Sequence, residues 1–253
     1  MGRTVKGPNG SSDGTDARRE RWRGHRETRR AEFVEATIRA IGKHGPDVGM
    51  DEIAAEAGVS KPVLYRHFTD KSDLYVAVGQ RGTEMLMERM GPALADDGPL
   101  LARISGAVDA YLITIEEQPD LYRFVVRRSF TDRPVEQDVV TEDKELIAAA
   151  LARLLGDYLR AFELDSGGAE PWAHAVVGMV QNAGDWWLER QSMSRQSLRD
   201  YLAKIIWHAI DGLLRAGGIE IDPDLPLTLG PRLRLVDDTD DHRSTGREAN
   251  DGA

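Results

Sequence analysis

From Ser60 to Lys71 the chain gathers hydroxyls, an imidazole and three cations, on Ser60, Lys61, Tyr65, Arg66, His67 and Lys71. These are hydrogen-bond donors of the kinds that suit phosphate oxygens, and Lys71 stands near the start of a helix whose free amides also welcome an anion. Taken singly, each is more simply a packing or surface polar residue. Taken together, with an outward-facing Tyr65 on a short helix, they point to a polyanion as the partner.

Two short helices have the means to hold that surface at an angle. Met50–Ala57 carries acids in its first turn, where they complement the helix dipole. It offers the small Ala54 for a close crossing and ends at Gly58, which is free to adopt positive φ. Ser60 is placed as an N-cap for the next helix, and Pro62 is tolerated in its first turn. Ile53, Ala57, Val59 and Leu64 form an apolar seam between the two. Burying that seam leaves Lys61, Pro62, Val63, Tyr65 and Arg66 facing outward, where a major groove can be read. A preceding helix is predicted from Thr28, with Phe33, Thr37, Ala40, Ile41 and His44 on one stripe, ending at Gly45-Pro46. A following one is predicted behind Asp70 and Asp73, which have capping-box spacing.

Charge agrees in its distribution rather than its sum. The net charge is −10, but residues 1–90 hold 16 Lys and Arg against 14 Asp and Glu, and residues 91–253 hold 17 against 29. A nucleic acid must therefore approach the N-terminal part, since the remainder would repel it. The segment 27–90 is itself slightly acidic, with nine cations against eleven acids, so geometry must carry recognition. Five arginines lie between Arg18 and Arg26. They read either as a solubilising tail or as a DNA-contacting arm in which Arg23 and Arg26 reach phosphates or the minor groove. There is no cysteine, which excludes disulfides, thiolate metal sites and thiol catalysis. Without a signal-like or membrane-length apolar run, a cytoplasmic protein is the natural expectation.

The run from Gly49 to Lys71, GMDEIAAEAGVSKPVLYRHFTDK, resembles the N-terminal signature of the TetR family of regulators almost without gaps. The resemblance implies an all-α protein in which an N-terminal three-helix DNA-binding domain is followed by a larger helical ligand-binding and dimerisation domain. It implies that residues 61–67 form the recognition helix and that Tyr65, His67 and Lys71 contact backbone phosphates. Repression is the family's usual mode, with activation as the alternative. Gly49 and Met50 depart from the pattern, because members often place a capping hydroxyl there. The expected division is a disordered basic arm over 1–26, the helix-turn-helix domain over 27–90, the ligand and dimer domain over 91–217 and a flexible acidic tail over 218–253.

Beyond Gly91-Pro92 only helical signals occur, near 99–117, 119–130, 135–163, 170–191 and 197–216. Trp172 and Val176 lie on one apolar stripe of the penultimate helix. On the last, Leu198, Leu202, Ile205, Ala209 and Leu213 form one stripe, with Ile206, Ile210 and Leu214 beside it. Two stripes suit a helix between its own core and a partner, so Trp172, Val176, Leu198, Leu202, Ile206, Ile210 and Leu214 are candidates for a homodimer interface. The alternative is burial inside one large monomer. A dimer would set two recognition helices about 34 Å apart on a palindromic operator of double-stranded DNA. Tyr111, Phe124, Phe130, Met179, Trp186 and Trp187, with Arg127 for an anionic group, are candidates for a pocket holding a largely apolar inducer such as a fatty acid or acyl thioester. An enzyme is not expected. There is no Gly-rich phosphate loop, His-Glu-x-x-His or Gly-x-Ser-x-Gly motif, and the histidines at 25, 44, 67, 174, 208 and 242 show no metal spacing, so neither metal nor cofactor is expected. A helical interaction protein without DNA binding is the remaining rival.

Overall fold

A computed structural model of the chain describes residues 13–128 and 139–226, with side chains over 24–126 and 145–226. The helices among them are α1 (Asp13–His44), α2 (Met50–Glu56), α3 (Lys61–Leu64), α4 (Lys71–Ala95), α5 (Leu100–Glu117), α6 (Pro119–Arg128), α7 (Val139–Ala161), α8 (Ala169–Arg190) and α9 (Arg195–Ala216). Extended pairing among the described residues is limited to one isolated bridge, Pro99 to Pro226. The all-α expectation therefore holds.

The chain divides into two compact units, one from 1–88 with 114–147 and the other from 89–113 with 148–253. By packing, α6 goes with the N-terminal unit, although in sequence it lies beyond the division expected at residue 91. The cause is visible in α6 itself. Leu121 and Phe124 are buried in the same core as Phe33 and Ile41 of α1, Ile53 and Ala54 of α2, Leu64 of α3 and Leu74 and Val78 of α4. Phe124 meets Tyr75 edge to face at 4.8 Å between ring centroids. The aromatic that its neighbours in sequence made a pocket candidate thus packs in the core of the N-terminal unit.

Three further boundaries differ from the sequence reading. The helical backbone begins at Asp13, so the segment around Arg18 to Arg26 is helix and not a disordered arm. Helix α4 runs on through Pro92 to Ala95. The expected tail begins too early. Ile219 and Ile221 are buried with Phe162, Trp207 and Leu214 in a core of the C-terminal unit, held by the turn after Gly217.

Candidate nucleic-acid interface

Helix α2 starts without a side-chain hydroxyl, and Glu52 compensates. Its Oε2 accepts from the Gly49 amide at 3.0 Å, capping the helix from inside the first turn. At the other end Gly58 takes φ +66, the left-handed conformation that closes the helix and turns the chain. The Val59 amide bonds back to the Ala54 carbonyl at 3.0 Å, and Ser60 then starts α3 from an extended backbone. The Ser60 side chain makes no capping bond, so its hydroxyl is left exposed for another acceptor. Ile53 and Leu64 are fully buried, and Ala57 and Val59 pack against them, which is the seam that the spacing predicts.

Regular α-helix ends at Leu64, after which the chain continues in tighter turns. The amides of Arg66 and His67 bond to the carbonyls of Val63 and Leu64. Ser60, Pro62, Tyr65, Arg66 and Lys71 are exposed, Tyr65 to 45% despite its size. Three candidates are placed differently. Lys61 Nζ pairs with Asp51 Oδ2 at 2.7 Å, which raises its pKa. Exposed pairs of this kind are weak enough to exchange partners. Val63 is half-buried against the core. His67 is half-buried too, its ring edge-on to Phe33 at 5.1 Å, with Nδ1 enclosed and without a hydrogen-bond partner among the described residues. Arg26 is exposed, whereas the side chain of Arg23 lies outside the described residues.

What holds this surface at its angle was not legible locally. Arg30 of α1 donates to the His67 carbonyl at 2.8 Å, pairs with Asp73 at the start of α4 and lies over the Phe68 ring at 4.2 Å. Asp73 also accepts from the Thr69 amide at 2.9 Å, while Asp70 caps the Asp73 amide at 2.9 Å as the spacing predicts. One guanidinium thus ties α1 to both ends of the 67–73 turn, and it holds the Asp73 carboxyl below its usual range. The two partners are 43 residues apart, beyond the reach of any periodicity argument. Lys71 extends over the Tyr75 ring at 5.2 Å.

Burial first, and then the field of Arg26, Arg29, Arg30 and Arg66, lowers the His67 pKa. The unfolded imidazole titrates near about 6.5, so the unfolded chain binds more protons than the folded one around and below that value. Stability associated with His67 is therefore complete above about pH 6.5 and declines as pH falls through it. We expect the melting temperature to fall between about pH 7.5 and 5.5 in the native protein and to fall less in His67→Gln. Equal slopes in the two proteins would remove His67 as the cause.

The candidates in the C-terminal unit sort differently from expectation. Leu198, Leu202, Ile206 and Leu214 are buried in their own unit and Ile210 is half-buried, so this stripe of α9 is core. The stripe beside it carries the exposed side chains, with Tyr201 59%, Ile205 55% and Leu213 39% exposed. Periodicity shows two adjoining stripes but not which one faces inward. Trp172 is half-buried over Gly168, where a Cβ would come within 2.3 Å of its ring, and Val176 is half-buried. Among the pocket candidates, Trp187 is buried with its indole N–H donated to the Met193 carbonyl at 2.8 Å. Tyr111 and Met179 are half-buried, and Trp186 is 38% exposed. The side chain of Arg127 and all of Phe130 lie outside the described residues. No group of three or more His, Asp or Glu side chains suited to a metal ion occurs among the described residues. Nor is any of the described helices long and apolar enough to cross a membrane.

Comparison with known proteins agrees with both halves of the chain. Residues 33–78 match the model of the bacterial regulatory proteins, tetR family, and residues 89–217 match the tetracyclin repressor-like C-terminal domain. The chain is 42% identical over 205 residues to an uncharacterized HTH-type transcriptional regulator of Mycobacterium tuberculosis, covering 81% of this chain and 86% of that protein. It is 32% identical over 164 residues to the HTH-type transcriptional activator FasR of Mycolicibacterium smegmatis, covering 64% of this chain and 74% of that one. Its fold matches the crystal structure of the transcriptional regulator FadR from Bacillus subtilis in complex with stearoyl-CoA, with TM-score 0.55 at 15% identity over 70% of this chain and 96% of that one.

Proposed function

Because this chain belongs to the tetR family of bacterial regulatory proteins, we propose that it acts as a homodimeric repressor released from a palindromic operator by a small, largely apolar ligand. The observation that carries this reading is the glycine-hinged pair of α2 and α3, which buries Ile53 and Leu64 and leaves Ser60, Pro62, Tyr65, Arg66 and Lys71 exposed together. In this reading Tyr65 and Lys71 bind phosphates, and Pro62 and Arg66, with the methyls of Val63, meet base edges. His67 acts through position, its half-buried ring held edge-on to Phe33 beside this surface. The homodimer is supported by the apolar face of Tyr201, Ile205 and Leu213 on α9 with Trp186 on α8, side chains that a lone subunit leaves in water. An acyl ligand is supported by the fold likeness to a regulator in complex with stearoyl-CoA. The ligand must prefer the arrangement in which the two reading heads are wrongly spaced, or it shifts nothing.

Selecting DNA from a random pool with the full chain tests the reading. The expected product is an inverted repeat with half-sites about one turn apart, roughly 34 Å between centres. No enrichment would overturn it. Removing residues 1–25 should also flatten the salt dependence of operator binding, by about 0.9 in the logarithmic slope for each phosphate that the shortened chain no longer neutralises. An unchanged slope would take the arginine-rich segment out of the interface. Activation in place of repression is favoured by one observation, the activator role of the relative from Mycolicibacterium smegmatis. A reporter placed behind the selected operator separates the two by the sign of its response.

A further inference from the structure

Arg103 of α5 is only 7% exposed, yet among the described residues its hydrogen-bond partners are neutral. Its Nη1 donates to the Tyr158 hydroxyl oxygen at 2.9 Å, its Nη2 donates to the Leu94 carbonyl at 2.8 Å, and its Nε is buried with no partner among those residues. Arginines of the same unit that are more exposed do have carboxylates. Arg195 meets Asp109, and Arg215 meets Asp211 and Glu220. The usual order is reversed, since a buried guanidinium needs a counter-charge more than a solvated one does. The Tyr158 ring at 5.8 Å and the carbonyl end of α4 supply partial negative charge. They leave Nε and most of the positive charge uncompensated, and an unmade bond of this kind in a native core calls for an explanation.

The surroundings suggest what the missing partner is. Leu100, Leu101 and Ile104, beside Arg103 on α5, pack with Tyr158 against the cluster of Phe162, Trp207, Ile219 and Ile221. A cation at the edge of an apolar cluster suits an anionic head on an apolar tail. Space is tight on the α4 side, because a Cβ on Gly106 would lie 3.0 Å from that of Ala93. An anion must therefore draw the guanidinium out of its present bonds, including the one to Leu94 in the last turn of α4. We propose that Arg103 receives the anionic head group, carboxylate or phosphate, of an amphipathic effector, and that the effector does so by taking this guanidinium from the end of α4. The proposal rests on the reading of the chain as a ligand-released regulator and assigns the chemistry of that ligand.

The test uses the full chain and three probes of equal tail length, palmitate, palmitoyl-CoA and hexadecanol, with binding followed by calorimetry. The native protein is expected to prefer palmitate or palmitoyl-CoA over hexadecanol by about tenfold or more, as the loss of a charge-assisted bond implies. Arg103→Met should abolish that preference while leaving hexadecanol binding unchanged, and Arg103→Lys should retain part of it. Preference for palmitate identifies a carboxylate head, and preference for palmitoyl-CoA alone identifies a phosphate. Equal binding of acid and alcohol by the native protein, binding of neither anionic probe, or a preference that survives Arg103→Met would overturn the assignment. If Arg103→Met does not fold, the acid-to-alcohol ratio of the native protein and its partial retention in Arg103→Lys decide the matter. Operator binding is measured in parallel without probe. An intact operator complex with no acid preference sinks only the head-group assignment, whereas absence of any operator sinks the regulatory reading beneath it.

Discussion

Ile205→Glu is expected to leave the protein helical but monomeric and to weaken operator binding by about a hundredfold or more, because each half-site then binds without the gain of its tethered neighbour. Ile205 is 55% exposed at the middle of the α9 face that includes Tyr201 and Leu213, so the carboxylate disturbs no core of its own subunit. In a self-complementary contact it would be buried twice, once from each protomer, which association could not tolerate. Sedimentation would report the mass and fluorescence anisotropy the affinity. The next residue provides the contrast. Ile206 is 5% exposed, and Ile206→Ala should cost about 2–5 kcal/mol of stability with the dimer retained in the folded fraction. A dimer that survives Ile205→Glu would place the interface elsewhere.

Leu64→Ala should be among the most damaging single changes in the N-terminal unit, lowering its stability by about 2–5 kcal/mol. Leu64 is the buried residue of the four-residue α3 and is fully enclosed by a core that includes Ile53 and Phe68. Its loss removes the anchor that fixes α3 against α2 as well as the area it buries. Urea denaturation would measure the change. Tyr65→Ala separates stability from recognition, since Tyr65 is 45% exposed and contributes little packing. It should leave the denaturation midpoint nearly unchanged while weakening operator binding. If Leu64→Ala unfolds at the native midpoint, α3 is held by something other than this seam.

The helix-turn-helix was readable because each of its requirements is local. Ala54 permits the crossing and Gly58 takes the positive φ, while Ile53, Ala57, Val59 and Leu64 lie close enough in sequence for the seam to be counted. The same holds for Asp70, whose carboxylate reaches an amide three residues on. The packing of α9 was readable only in part. The spacing gives two adjoining apolar stripes, and the inward stripe is decided by what α5, α7 and the turn at Ile219 and Ile221 bring against it. Phe124 shows the same limit. An aromatic on an amphipathic helix beyond residue 91 looks like a member of the C-terminal unit until the chain returns α6 to the N-terminal core.

The sequence by itself determined the all-helical class, the helix-turn-helix and the family, because glycine conformation, capping distances and helical period act over a few residues. Tertiary structure alone decided the Arg30 tie to His67 and Asp73, the face of α9 left in water and the neutral surroundings of Arg103. Those depend on which distant segments meet. A side chain's burial and its counter-charge are set by neighbours in space, and no spacing along the chain encodes them.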